Sequence, residues 1–375
     1  MRIITEKLVA GGSCLAHIDG KAVFIPYTLP GETHEIQLVE DKKDYSRALS
    51  TSILDPSVHR IAPECPLFGR CGGCSLQMAD TAYQRELRLG ILRDSLQRSR
   101  VADCPEPDMV IGAATGYRSR FQFHIPPFPG LALKEGSSAE FVPVADCPVA
   151  VPEIRERLRD GSLSGTARTS GCRERFNVFG WNGSLWQEGS CTVCDPEICG
   201  KKIRVDIRGF FQSNIELLET LLAEVLSSLE GCGTGRLLDF YAGVGTFSAF
   251  ASDRFRETVL VEHNTHALEF ARANVSESRI VLCPVSDQEW PFRKESRLVY
   301  DAAIVDPPRQ GLHRSTVHWF ASSGIPLVVY VSCDPVTFAR DAAVLVSGGY
   351  RLERVSGFDF YPQTHHLEVF GVFRL

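Results

Sequence analysis

The sequence predicts an α/β protein in three parts: a small N-terminal β-barrel, a central α+β segment and a C-terminal Rossmann-like domain. Three observations carry this. From Gly209 onward, helical periodicity alternates with short, solidly apolar strands, the pattern of a mostly parallel sheet covered on both faces. Residues 1 to about 58 hold short strands separated by polar or glycine-containing turns. Between them, residues 59–206 are rich in Pro, Gly and Cys and lack regular periodicity.

Each part can be justified along the chain. In the first, Ile3-Ile4, Ala22–Ile25, His34–Val39 and Ala48–Leu54 read as strands, with turns at Gly11-Gly12, Asp19-Gly20 and Leu29–Glu32, and Pro56-Ser57 as a boundary. The second contains one clear helix, Thr81 to about Ser99, and a Ser/Gly/Thr-rich stretch from Gly161 to Gly171 that reads as an exposed loop. In the third, residues 207–375, a helix is expected over Ile215–Leu229. Strands are expected at Arg236–Phe240, Thr258–Glu262, Ile280–Leu282, Ala302–Val305 and Leu327–Val331. At 375 residues, two or three domains are the natural division.

Composition narrows the class. With 44% hydrophobic and 23% charged residues and no apolar run of ~18, the chain reads as a globular protein without a membrane span. Nothing in Met-Arg-Ile-Ile-Thr-Glu-Lys suggests export, so a cytoplasmic location and a monomer are the expectations. Thirteen cysteines without an export signal point to thiol chemistry or metal ligation rather than disulfides. A net charge of −6 gives no general support to nucleic-acid binding; basic residues would have to concentrate locally, at Arg85, Arg88, Arg93, Arg98 and Arg100 or at Arg118 and Arg120. On charge alone, such arginines read as an ordinary solvated helix face.

Leu238–Phe247 puts a strand directly before a Gly243-x-Gly245 turn and a helix, where backbone can approach a nucleotide-like ligand closely. Glu262 ends the next strand, the position for a carboxylate that holds ribose hydroxyls. Phe247 stands where a dinucleotide enzyme would carry its third glycine, which lowers that reading. Here Asp239–Thr246 resembles motif I of the class I S-adenosylmethionine-dependent methyltransferases.

Two further strand ends carry chemistry. Asp306-Pro307-Pro308-Arg309 stiffens the loop where substrate should meet cofactor, and differs from the Asn-Pro-Pro-aromatic of amino-methylating enzymes. Cys333, in Ser332-Cys333-Asp334-Pro335, lies at a strand end rather than inside the strand. Uracil C5 is a poor nucleophile, and thiolate addition at C6 makes it electron-rich enough to take a methyl group; a base must then remove the C5 proton. Glu368 is the candidate base, with His365 and His366 weaker candidates whose default role is packing or hydrogen bonding.

Taken with Phe211-Gln212-Ser213-Asn214 and Pro362–Glu368, these motifs resemble, in order and spacing, the RNA 5-methyluridine methyltransferase family. The resemblance implies Gln212, Tyr241, Gly243, Thr246, Glu262 and Asp306 around S-adenosylmethionine, Asp287 on the adenine side, Cys333 as nucleophile and Glu368 as base. Tyr241 and Thr246 stand where relatives often carry Phe and Asn. Asp19–Pro26 and Leu29–Glu32 resemble the TRAM domain, a small RNA-binding barrel whose bearers tend to act on ribosomal RNA. The implied partner is RNA, 23S rRNA ahead of tRNA.

Cys65, Cys71, Cys74 and the distant Cys147 supply four thiolates, with Gly72-Gly73 permitting a tight turn. Ligand count leaves tetrahedral zinc and an iron–sulfur cluster open. The family resemblance implies a [4Fe-4S] site. It is not of the radical-SAM type, whose cysteine spacing is missing. Cys191, Cys194 and Cys199 lack an evident fourth ligand and read as free thiols. Competing readings are a 5-methylcytidine enzyme, which would carry Pro-Cys where Asp306-Pro307-Pro308 stands, and an iron–sulfur RNA-binding protein without activity.

Overall fold

The computed structural model describes residues 1–136, 138–275 and 279–375. Strands β1 (Arg2–Ile4), β2 (Lys7–Leu8), β3 (Ser13–Ile18), β4 (Lys21–Pro26), β5 (Thr33–Asp41) and β6 (Tyr45–Asp55) form a sheet in the order β1-β5-β6-β4-β3-β2. The chain itself draws the two edges together: Thr5 N donates to Glu32 O beside β5, and the next amide, Glu6 N, donates to Leu15 O in β3. Alternate side chains, among them Cys14, Ala16, Val23, Ile25 and Ala48, point inward and are buried. Asp19 and Gly20 both have positive φ, the conformation of a two-residue hairpin turn that matches strand twist. Strand β3 was not among the sequence expectations, because Ser13 to Ile18 mixes His and Ser into a short apolar run.

After the barrel come α1 (Thr81–Arg98) and β7 (Asp108–Val110). A five-stranded antiparallel sheet follows, ordered β10-β9-β8-β11-β12 and built from β8 (Arg120–His124), β9 (Ala132–Lys134), β10 (Phe141–Pro143), β11 (Arg175–Trp181) and β12 (Ser184–Gln187). Helices α2 (Pro152–Arg159) and α3 (Ser162–Thr169) lie between β10 and β11 in sequence. The helix α3 corrects the exposed loop expected between Gly161 and Gly171. Leu163 and Ala167, four residues apart, are buried in one apolar cluster with Ile154 and Leu158, and that packing overrides the poor helix propensity of Ser, Gly and Thr. Two small ribbons, β13 (Val193–Cys194) with β16 (Val205–Asp206) and β14 (Glu197–Ile198) with β15 (Lys201–Lys202), lead to the last domain.

That domain contains α4 (Ile215–Ser228), β17 (Arg236–Phe240), α5 (Ser248–Ala251), β18 (Glu257–Val261), α6 (Thr265–Asn274), β19 (Ile280–Cys283), β20 (Ala302–Val305), α7 (Arg314–Ser322), β21 (Leu327–Ser332), α8 (Pro335–Ser347), β22 (Arg351–Phe358) and β23 (Glu368–Arg374). The sheet order is β19-β18-β17-β20-β21-β23-β22-β7, with only β23 antiparallel to its neighbours. Strand order reverses between β17 and β20, so a crevice opens there at the carboxyl edge. Because β23 runs the opposite way, its first residue, Glu368, lies at that same edge.

Elements before residue 207 also join this domain. β7 pairs in parallel with β22, and α1 packs along α8 with Leu92 and Leu96 in one apolar cluster with Phe338, Ala342 and Leu345. Among the described residues, no helix is long and apolar enough to cross a membrane.

Candidate active site

Motif I forms the floor of the crevice. Tyr241 N and Ala242 N both donate to Val261 O, and the turn continues through Tyr241, Gly243 and Gly245 with positive φ. A Cβ on Gly245 would sit 3.1 Å from side-chain atoms of Ala271 and Val275, so glycine lets the turn lie against α6. Asp239, buried under the turn, accepts from Ser248 N and Oγ; burial pushes its carboxyl up to about 6. Glu262 accepts from Gly243 N at 3.1 Å and Asn264 N at 2.8 Å, which ties the end of β18 to the glycine turn.

Above this floor is a cavity of about 790 Å³, the size of a nucleoside-sized ligand pocket. Gln212, Tyr241, Gly243, Thr246, Glu262, Asp306, Cys333 and Glu368 all line it. Asp287 does not. Its Oδ2 accepts from Tyr241 Oη at 2.6 Å and from His313 N at 2.9 Å, so it reaches the pocket only through Tyr241.

The reacting end is set by sheet register. Ser332 pairs with Val369 across β21 and β23, and one step further places Cys333 opposite Glu368 on the same face. Glu368 is 2% exposed and neither carboxyl oxygen has a hydrogen-bond partner. Burial first, then the charge of Asp306, holds it well above the usual carboxylate range, while Arg309 acts in the opposite sense. Asp306 is raised for the same reasons, by burial and by Asp239. Burial, followed by the charges of Glu368 and Asp306, pushes the Cys333 thiol up to about 12. The site therefore holds a neutral thiol beside the buried Glu368 and the half-buried Asp306.

The loop from Asp359 to Leu367, which delivers Glu368, is held by residues that precede residue 207 in the chain. Gln84 of α1 accepts from Gln363 N and donates to Gln363 Oε1, Ser75 N and Leu76 N donate to Gln363 O, and Tyr117 Oη donates to Pro362 O. His365 belongs to this bracing: it exchanges hydrogen bonds with Ser75 Oγ and packs on Gly12 of the barrel. His366 lines the cavity, but burial and the neighbouring His365 lower it to about 3, so it stays neutral.

The α1 arginines are neither an RNA face nor a solvated one throughout. Arg88 is fully buried with Nη1 2.7 Å from Asp359 Oδ1, and Arg85 bonds the other oxygen at 3.0 Å; Arg93 and Arg98 stay on the surface. Arg118 and Arg120 do line the cavity. Residues absent from the sequence reading also stand here: Phe210, 75% exposed at the rim, and Tyr361, whose hydroxyl lies 3.4 Å from Gln212 Oε1. Each is adjacent to or near a motif residue, the one signal that pointed to them.

Cys65, Cys71, Cys74 and Cys147 are free, and burial pushes the Cys74 thiol up to about 12, with Cys147, Cys71 and Cys65 acting in the same sense. Gly72 passes so close to Gly136 that a Cβ would sit 3.0 Å from its Cα. Among the described residues, no three His, Cys, Asp or Glu side chains are arranged to hold a metal ion. Cys191, Cys194 and Cys199 form no disulfide among the described residues.

Comparisons with known proteins fit this geometry. Residues 294–374 match the tRNA (Uracil-5-)-methyltransferase family and residues 1–49 the TRAM domain. The chain is 40% identical to an uncharacterized RNA methyltransferase of Treponema denticola, over 99% of this chain and 98% of that one. It is 30% identical to the 23S rRNA (uracil(1939)-C(5))-methyltransferase RlmD of Yersinia enterocolitica, over 100% and 95% of the two chains. The crystal structure of Pyrococcus abyssi tRNA (uracil-54, C5)-methyltransferase with S-adenosyl-L-homocysteine superposes with a TM-score of 0.74 over 100% of both chains at 22% identity, a likeness of fold. A thiol and an acid meeting over a class I cofactor turn, behind a TRAM barrel, agree with these matches: the chain belongs to the RNA uracil-C5 methyltransferase family and uses S-adenosylmethionine to methylate uracil C5 in RNA.

Proposed function

We propose that the chain methylates a uridine of 23S rRNA through a covalent Cys333–C6 adduct, with Glu368 as the base. The observation that carries this is that Glu368 and Cys333, the residue just past the Ser332–Val369 pair of β21 and β23, line the cavity that also holds the cofactor turn. Cys333 Sγ adds to C6 as its proton leaves to solvent, which turns the ring into an enolate that takes the methyl group at C5. The Glu368 carboxylate then takes the C5 proton, the C6–S bond breaks, and that proton returns to the departing thiolate. Gln212, Gly243, Thr246, Glu262 and Asp306 hold the cofactor, and Tyr241 does so with Asp287 fixing its hydroxyl. Arg118 and Arg120 supply the local positive charge for RNA that the overall charge of −6 lacks.

The 23S assignment rests on the similarity over full length to a relative named for that activity; the tRNA reading is favoured by the matched family and the solved neighbour. Mapping 5-methyluridine in rRNA and tRNA from cells lacking the gene decides between them. Cys333→Ala should abolish transfer, and Glu368→Gln should accumulate a denaturant-resistant enzyme–RNA adduct. Normal turnover in the first, or no adduct in the second, would overturn the mechanism.

Cys65, Cys71, Cys74 and Cys147 fit a [4Fe-4S] cluster in chemistry: four free thiols, two of them flanking Gly72-Gly73, where the absence of side chains lets the backbone pass close to Gly136. Such a cluster would cross-link the Cys65–Cys74 loop to Cys147. The loop residue next to it, Ser75, bonds the catalytic loop at Gln363 and His365, so these cysteines brace Glu368 at one remove. Iron and sulfide analysis of anaerobically purified protein, at four of each per chain, tests it; zinc alone would refute it.

A further inference from the structure

A buried carboxylate with no hydrogen-bond partner is costly, and Glu368 is such a group unless it is protonated or meets a positive charge. The groups facing it can be named. From the loop after β20 come Asp306 and Arg309, from the end of β21 Cys333, and from its own loop Tyr361 and His366. Its partner on β22 is Phe358, which brings no charge. Arg118 and Arg120 of the central segment line the same cavity, but Arg309 is the one cation whose charge acts on Glu368; it is exposed and its Nη2 lies 3.4 Å from His366 Nε2. The carboxyl pair thus outnumbers it.

We propose that Glu368 is neutral in the free enzyme and that the sulfonium charge of bound S-adenosylmethionine ionises it, so that the base exists only when the methyl donor is in place. This rests on the reading of Glu368 as the base. The reaction itself sets the separation: the methyl group lies between sulfur and C5, and the C5 proton lies between C5 and Glu368, which puts sulfur roughly 6 Å from the carboxyl. At an effective permittivity of about 20, a unit positive charge at that distance lowers proton affinity about a hundredfold. The demethylated cofactor is neutral at sulfur and exerts no such pull.

The protons balance. Glu368 gives one to solvent when the cofactor binds, and Cys333 gives one when it adds to C6. The C5 proton passes through Glu368 to the leaving thiolate. With neutral S-adenosylhomocysteine left in the site, Glu368 recovers one proton from solvent, so the cycle releases the single proton displaced from C5.

Calorimetric titration in buffers of different ionisation enthalpy at pH 7 reads this directly. S-adenosylmethionine should displace more protons than S-adenosylhomocysteine, by up to about 0.8 for a hundredfold change in proton affinity, and in Glu368→Gln that excess should vanish. Wild type alone offers a second measure: the ratio of the two affinities should rise with pH, up to tenfold per unit, in favour of the methylated cofactor. Equal proton release by both ligands, or a flat ratio, overturns the proposal. So does an excess that survives Glu368→Gln and disappears in Asp306→Asn, which would make Asp306 the switching group. If Glu368→Gln traps the RNA adduct while the two ligands release equal protons, the base assignment stands and only this inference falls.

Discussion

Replacing Arg88 with methionine should destabilise the catalytic domain by about 3 kcal/mol. Arg88 is fully buried in α1, and its Nη1 stands 2.7 Å from Asp359 Oδ1, in an approach too bent for a regular hydrogen bond. Removing one partner of a buried pair costs roughly 3–5 kcal/mol because the other charge is left unpaired. Arg85 still bonds Asp359 Oδ2, which puts the loss at the low end. For a domain of this size the midpoint of thermal unfolding should fall by about 6–12 °C. Scanning calorimetry with circular dichroism follows it, and Asp359→Asn added to Arg88→Met should restore part of the loss. A shift under about 2 °C, or no recovery in the double variant, would refute the claim that this pair fastens α1 to the catalytic loop.

Other outcomes follow from the same coordinates. Tyr241→Phe removes the hydroxyl that Asp287 accepts and should weaken S-adenosylmethionine binding about tenfold with little change in kcat; unchanged affinity would free Tyr241 of this role. With its thiol pushed up to about 12, Cys333 should react with iodoacetamide about tenfold faster for each pH unit between 7 and 9; a plateau near neutrality would contradict it. Burial works against ionisation of Glu32, yet Arg60, His34 and the Leu29 and Ser57 amides lower its carboxyl to about 2. Its contribution is present above the unfolded value of 4.5 and lost as pH falls toward 2, so acid unfolding of the barrel in that window should be blunted in Glu32→Gln; an unchanged acid transition would discount the cluster.

The catalytic domain was the most legible part of the sequence because its strands are buried on both faces and read as unbroken apolar runs, as at Ala302–Val305 and Leu327–Ser332. Cys333 was readable at a strand end and Glu368 as a downstream acid, but their meeting is a matter of register, which only the antiparallel insertion of β23 fixes. Less legible were elements whose stability is tertiary. Helix α3 exists through Leu163 and Ala167, and Arg88 looked solvated because its partner lies far along the chain in Asp359. Asp287 was placed toward the cofactor by analogy, whereas the hydroxyl of Tyr241 captures it first.

The hairpin of β22 and β23 also governs the order in which the sheet can be assembled. β23 lies between β21 and β22, so β22 reaches the rest of the sheet only through β23, and β7 only through β22. β7 and α1 are made before any strand of the catalytic sheet, yet α1 rests on α8 and β7 on β22. The barrel can close from local contacts while the segment after it waits for the far end of the sheet. Folding should then be late and highly non-local, with slow closure of the β7 edge. A fragment beginning at residue 207 would leave the outer side of β22 as a bare template for other chains.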